Sequence, residues 1–170
     1  MNKIIRKSTL FEQINGPAIH YLAYGMNTNN ENMQQMCPEA ENLGKVEIHD
    51  WALEFNRHAN VTKKVGSKIY CVLWILRAAN ERRLDQLEGY PSYYDKTTID
   101  VHMSDNSITS AMIYVMTPSS RKLSLGDAPD MHYVDLIMQG YLANKIPLSQ
   151  MYNAPGYPLG DKEYPQPKKS

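Results

Sequence analysis

Apolar positions along the chain fall into short runs with two different periods. Residues 20–24 form an apolar run that stops at Gly25, the mark of a short buried strand, and residues 31–36 suit a short helix that Pro38 ends. Residues 46–55 alternate, and residues 69–76 are rich in β-branched and aromatic side chains. Both predict strands, with Lys63, Lys64 and Gly66 read as the turn between them. Residues 78–88 predict a helix that carries Leu84 and Leu87 on one face and Arg82, Arg83 and Asp85 elsewhere, with Gly89 and Pro91 as stop signals. Residues 97–103 and 108–116 flank Ser104, Asp105, Asn106 and Ser107, a hairpin pattern. A second amphipathic helix is expected over 130–142, where Tyr133, Ile137 and Tyr141 recur at helical spacing. Prolines 147, 155, 158, 165 and 167 punctuate the remainder.

With no internal repeat, these elements predict one α+β or barrel-like domain. Its expected bounds are 18–157, with an N-terminal extension over 1–17 and a loose tail over 158–170. A chain of 170 residues with 42% hydrophobic and 21% charged residues can bury a real core. Lys plus Arg and Asp plus Glu both number 18, so no overall field points to duplex nucleic acid or an anionic membrane. The longest apolar run, 69–76, is too short to span a bilayer and the first ten residues lack a signal-peptide core, which predicts a cytoplasmic protein. Cys37 and Cys71 form no metal or disulfide pattern, and His20, His49, His58, His102 and His132 are scattered singly, so neither a metal nor a cofactor is expected.

Two stretches carry candidate chemistry. A strand that ends at Gly25 and turns into a helix gathers backbone N–H groups that suit a carboxylate or phosphate, although a plain turn has the same pattern. Glu88 closes its helix at the negative end of the macrodipole; facing an apolar pocket its pKa would rise, as suits a general base, while in water it would be an ordinary helix-end glutamate.

Taken in order, Tyr24-Gly25-Met26-Asn27, CPEAENLG at 37–44, WALEF at 51–55, YCVLWIL at 70–76 and LDQLEGYPSYYDKTTIDV at 84–101 resemble the γ-glutamylcyclotransferase-like family, over roughly residues 19–117. The resemblance implies a small mixed β-barrel flanked by helices, with a ligand cavity between the Tyr24–Asn27 loop and the Glu88 helix. It further implies that loop donors grip a glutamyl group while Glu88 acts as acid and base. The α-amine then attacks its own γ-carbonyl, giving 5-oxoproline and a free amine or peptide without a metal.

Two positions depart from the family pattern, in which the loop reads Tyr-Gly-Ser-Asn followed by an apolar residue; here Met26 and Thr28 stand instead. Loss of the serine hydroxyl would cost about 0.5–1.5 kcal/mol for a neutral hydrogen bond and about 1.5–3 kcal/mol for one to a carboxylate. A methionine adapts to flat aromatic ligands. The Tyr-Gly-Met-Asn loop also resembles a viral branch of the family, which implies a second reading: a non-catalytic sponge in the host cytoplasm that holds cyclic nucleotides. Tyr90, Tyr93 and Tyr94 are candidates for stacking on a base or simply for packing, and Arg57, Lys63, Lys64 and Lys68 for positive charge near a cavity or for a solvated turn. Trp51 and Trp74 are expected in the core, as are Tyr133 and Tyr141 unless they line a pocket or a subunit contact. The candidate site is therefore Glu88 with Tyr24, Gly25, Met26, Asn27, Tyr90 and Tyr94, and the expected partner is a small anionic molecule, a γ-glutamyl compound or a cyclic nucleotide. A homo-oligomer stays open, as does a third reading, an interaction protein whose old pocket is idle.

Overall fold

The fold was obtained as a computed structural model that describes residues 16–158. The extension expected over 1–17 lies outside the described residues except for Gly16 and Pro17, and the tail expected over 158–170 lies outside them except for Pro158. Among the described residues five strands and five α-helices alternate unevenly: β1 (Ile19–Ala23), a 3₁₀ turn (Met26–Thr28), α1 (Asn30–Met36), β2 (Glu41–Asn56), β3 (His58–Leu76), α2 (Ala78–Glu88), β4 (Tyr94–His102), β5 (Ile108–Met116), α3 (Pro118–Ser124), α4 (Met131–Ala143) and α5 (Ser149–Tyr152).

The strands form one mixed sheet in the order β2-β3-β1-β5-β4. β1 runs antiparallel to β3, pairing Ile19 with Leu76 and Ala23 with Val72, and parallel to β5, where Tyr21 pairs with Met112. This is the α+β class expected from the sequence, but the sheet does not close. The start of β3 instead meets the start of β4 and the end of β5 through side chains: Asn60 Oδ1 accepts the Met116 N–H at 2.8 Å, and the Tyr94 hydroxyl donates to the Ala59 carbonyl. The sheet is curled and stitched along a seam, so the word barrel describes it only loosely.

A buried carboxylate anchors that seam. Glu54 takes a bidentate Arg121 at 2.7 and 2.9 Å and the amides of Asn56 and Asn60 at 2.9 and 2.8 Å. The Arg121 guanidinium, with the two amides, holds the Glu54 carboxyl below its ordinary range. Both oxygens of the buried charge are engaged, Oε1 by three donors and Oε2 by one, which is what makes its burial tolerable.

The turn expected at Lys63, Lys64 and Gly66 is corrected by the register. β2 and β3 turn at Arg57, whose φ is 63°, with Asn56 opposite His58. Trp51 pairs with Lys63 and His49 with Lys68, so residues 64–67 face Asp50 alone as a wide bulge. Asp50 and Gly66 both have positive φ, and the Gly66 N–H donates to Asp50 Oδ1 at 2.9 Å. Glycine and exposed lysines signal a bulge as readily as a turn, which is why the pattern misled.

β1, α1, α2, β5 and α4 sit within a residue or two of their expected places, whereas β2, β3 and β4 begin earlier than expected, at Glu41, His58 and Tyr94. Asn29 caps α1 by accepting the Asn32 N–H at 3.1 Å. The pattern left out α3 and α5, short helices of seven and four residues, although Thr117 caps α3 and Pro118 opens it. Leu22, Phe55, Leu84, Ile113, Ile137 and Tyr141 are fully buried; Trp51 and Trp74 lie in the core, as do the two free cysteines. No helix among the described residues is long and apolar enough to cross a membrane.

Candidate functional site

β1 delivers Tyr24 and Gly25 to the end of the sheet, and the chain there tightens into the 3₁₀ turn. The turn is fixed from three sides. Thr28 returns both its N–H, at 3.0 Å, and its hydroxyl, at 2.7 Å, to the Gly25 carbonyl. Trp74 Nε1 donates from the core to the Asn27 carbonyl at 3.1 Å. From α4, the Tyr141 hydroxyl donates to the Tyr24 carbonyl at 2.7 Å and Asn144 Nδ2 to the Thr28 carbonyl at 2.8 Å. Thr28 is thus fully buried and spends its hydroxyl on the turn.

α2 approaches this turn with its C-terminal end. Gly89 stops the helix in the left-handed conformation at φ 63°, where a Cβ would also come within 3.1 Å of the Tyr93 Cβ. Glu88 therefore sits at the last helical position with its carboxyl turned toward Asn27, whose Nδ2 donates to Glu88 Oε1 at 3.1 Å and to the Tyr21 hydroxyl at 3.0 Å. Asn27 Oδ1 in turn accepts from Asn32 Nδ2 at 3.0 Å. Burial pushes the Glu88 carboxyl up to about 7, against a smaller downward pull from the Asn27 hydrogen bond.

Between the turn and α2 lies a cavity of about 440 Å³, within the range of small-molecule sites. Tyr24, Gly25, Met26 and Asn27 line one side and Leu87, Glu88 and Gly89 another. Tyrosines 21, 93, 94, 114 and 133, with His58 and Ala59, complete the wall. The phenols are fastened to the protein: Tyr24 donates to the Tyr114 carbonyl at 2.7 Å, Tyr114 to Asp85 at 2.6 Å, and Tyr133 accepts the Ala59 N–H at 2.9 Å. Burial, reinforced by the nearby Glu88 charge, raises the pKa of Tyr21 and Tyr24, so they stay neutral. His58 Nδ1 lies 2.9 Å from the Tyr93 hydroxyl, and its ring meets those of Tyr93 and Tyr133 edge-on at 5.7 and 5.2 Å. Burial lowers its pKa, with Arg57 adding to the effect, which leaves a neutral imidazole.

Of the residues singled out from the sequence, Glu88, Tyr24, Gly25, Met26, Asn27 and Tyr94 meet at this cavity, and Tyr90 does not. The Tyr90 ring is exposed and packs beneath Lys96 Nζ at 4.2 Å. The candidate cations lie elsewhere as well. Arg57 pairs with Asp127 at 2.6 Å, Lys63 stacks over Trp51 at 4.6 Å, and Lys64 and Lys68 line a separate groove. Sequence reasoning missed Tyr21, His58 and Tyr114 as wall residues. With the hairpin turn misplaced to 63–66, nothing put His58 at the seam. Among the described residues no group of three His, Cys, Asp or Glu could hold a metal ion.

The Asn27 amide is the joint between turn and helix. Asn27→Asp, which replaces a donor with a carboxylate beside Glu88, should raise the Glu88 pKa further above 7 and cost about 1–3 kcal/mol of stability. Carboxyl titration by NMR with chemical denaturation reads both. A Glu88 titration that stays put would show that Asn27 does not set it.

Comparison with known proteins gives a consistent picture. The sequence profile of the family described as "Gamma-glutamyl cyclotransferase, AIG2-like" matches residues 21–135. Among solved structures, a protein titled "Gamma-glutamyl cyclotransferase" superposes with a TM-score of 0.68 at 20% identity, over 88% of this chain and 94% of its own. An uncharacterized protein from Homo sapiens gives 0.69 at 20% identity over 89% and 94%. YkqA from Bacillus subtilis gives 0.62 at 17% identity, over 79% of this chain and 52% of its own. At such identities these structures speak to the fold alone. No curated protein sequence matches the chain.

Proposed function

Because the chain belongs to the AIG2-like γ-glutamyl cyclotransferase family, we propose that it closes γ-glutamyl amides or peptides into 5-oxoproline and releases the amine. The observation that carries this reading is Glu88, a carboxyl raised to about 7 inside a small-molecule cavity and aimed by Asn27. A base of that strength near neutral pH can take a proton from the substrate's α-ammonium and later return it. The start of the 3₁₀ turn leaves N–H groups without partners inside the turn, and these, at Gly25 to Asn27, would bind the α-carboxylate. Ring closure is intramolecular, so holding the chain folded between the turn and Glu88 supplies much of the rate.

Cyclic nucleotide storage has less support. None of the described residues lining the cavity is Lys or Arg, and phosphate charge there would lie beside Glu88.

Product analysis tests the reading. Purified protein incubated with γ-glutamyl alkylamides and peptides should release 5-oxoproline and free amine, each in step with the other. Cyclic nucleotide that stays bound and is recovered intact, with no 5-oxoproline formed, would replace the enzyme by a trap.

A further inference from the structure

Cyclisation removes two protons from the attacking nitrogen and adds one to the departing nitrogen, whereas the reading above gives only Glu88 to handle them. His58 is a second proton-accepting group on the same wall. It is held more firmly than an incidental cavity residue: Nδ1 is engaged by the Tyr93 hydroxyl, and two tyrosine rings clamp the imidazole edge-on. Its neighbour Ala59 abuts the substrate-holding turn, where a Cβ on Gly25 would lie 3.2 Å from the Ala59 Cβ and 3.4 Å from the Tyr133 hydroxyl. With Nδ1 occupied, the ring atom left for a bound molecule is Nε2.

We propose that His58, steadied by Tyr93, carries the proton from the ring-forming nitrogen to the departing amine. This rests on the cyclotransferase reading. Glu88 takes the first proton from the α-ammonium, and the freed nitrogen pair forms the bond to the γ-carbon while the carbonyl π pair moves to oxygen. The ring nitrogen, now cationic, gives its second proton to His58 Nε2, with Nδ1–H donating to the Tyr93 oxygen. The oxyanion then re-forms the carbonyl, the carbon–nitrogen bond breaks with its pair going to the departing nitrogen, and that nitrogen takes the proton from Nε2. His58 ends neutral, as it began. Glu88 passes its proton to the released amine or to water. An imidazole whose conjugate acid is weakened by burial is suited to this task, since once protonated it gives the proton up readily.

The two halves of the cycle can be separated by the leaving group. A departing alkylamine needs its proton before the bond breaks, whereas p-nitroaniline departs with far less assistance. His58→Gln should therefore lower turnover of a γ-glutamyl alkylamide by about 10²-fold and lower that of γ-glutamyl-p-nitroanilide at least about 10-fold less. Tyr93→Phe, which keeps the ring and removes the acceptor, should shift the ratio in the same direction by a smaller factor, and it carries the test if His58→Gln does not fold. Equal losses on both substrates would remove His58 from delivery of the proton to the departing amine and so overturn the proposal, and no loss on either would remove it from proton transfer altogether. If the unaltered protein forms no 5-oxoproline from either compound, the cyclotransferase reading itself falls and this inference falls with it.

Discussion

Glu88→Gln should lower turnover of a γ-glutamyl amide by at least about 10²-fold while leaving substrate binding nearly intact, because glutamine keeps the shape and loses the ionisable carboxyl that takes and returns the proton. The same change should make the protein more stable at pH 8 and no different at pH 4. In the unfolded chain the Glu88 carboxyl ionises near its ordinary value of 4.5, but in the folded protein it does so only at about 7. Below 4.5 both states hold the proton and the residue is neutral to folding. Between 4.5 and 7 the unfolded chain ionises first, so stability falls as the pH rises, and above 7 the full penalty is present. The whole shift corresponds to roughly 3 kcal/mol, and the carboxyl's access to the cavity brings the expected gain in the variant to roughly 1–3 kcal/mol. Activity of the unaltered protein should rise through pH 7 toward a plateau as Glu88 ionises. Denaturation at the two pH values and a pH–rate profile read these outcomes together. Full turnover in the variant would remove Glu88 from the chemistry, and equal stability at both pH values would show that the carboxyl is not strained by burial.

Gly140→Ala should damage stability and site alike. A methyl group at this position of α4 would stand 2.3 Å from Thr28 Oγ1 and 2.7 Å from both the Asn29 nitrogen and the Thr28 carbonyl carbon. Two of those atoms are backbone, and the third is a hydroxyl already committed to the Gly25 carbonyl in a fully buried residue. The turn must give way, at a cost of about 1–3 kcal/mol typical of overpacking. The sign makes the test sharp, because helix propensity alone would have alanine stabilise α4 by up to about 1 kcal/mol. A displaced turn also carries Asn27 away from Glu88, so the carboxyl titration should move and turnover should fall. A variant as stable as the parent would mean that α4 does not press on the turn.

The sequence pattern reached the strands and the two longer helices because each is amphipathic or uniformly apolar over several residues. It reached Glu88 and the Tyr24–Asn27 loop because a helix end and a strand end are marked by glycine. It did not reach the seam. Whether His58, Tyr114 and Tyr133 share a wall depends on the β2–β3 turn falling at Arg57 and on the curl of the sheet, and neither leaves a local trace: Arg57 takes a positive φ without being glycine. Nor does the pattern show what Thr28 does: its hydroxyl closes the turn onto Gly25 beneath Gly140, a contact between residues far apart in the chain. Tyr90 shares its neighbourhood with Tyr93 and Tyr94, but it lies within the turn over residues 89–92, exposed beneath Lys96, while the other two line the cavity.

The bulge at residues 64–67 bears on how this chain can vary in length. Val65 at its crest is 92% exposed, and the bulge begins six positions beyond His58 along a continuous strand, about 20 Å at the usual rise per residue. The entropic cost of lengthening such an excursion grows slowly, by about 0.6 kcal/mol for each doubling. Insertions, affinity handles and fluorescent reporters can therefore be carried at this mid-hairpin bulge while the turn end of the hairpin keeps His58 and Ala59 in the cavity wall.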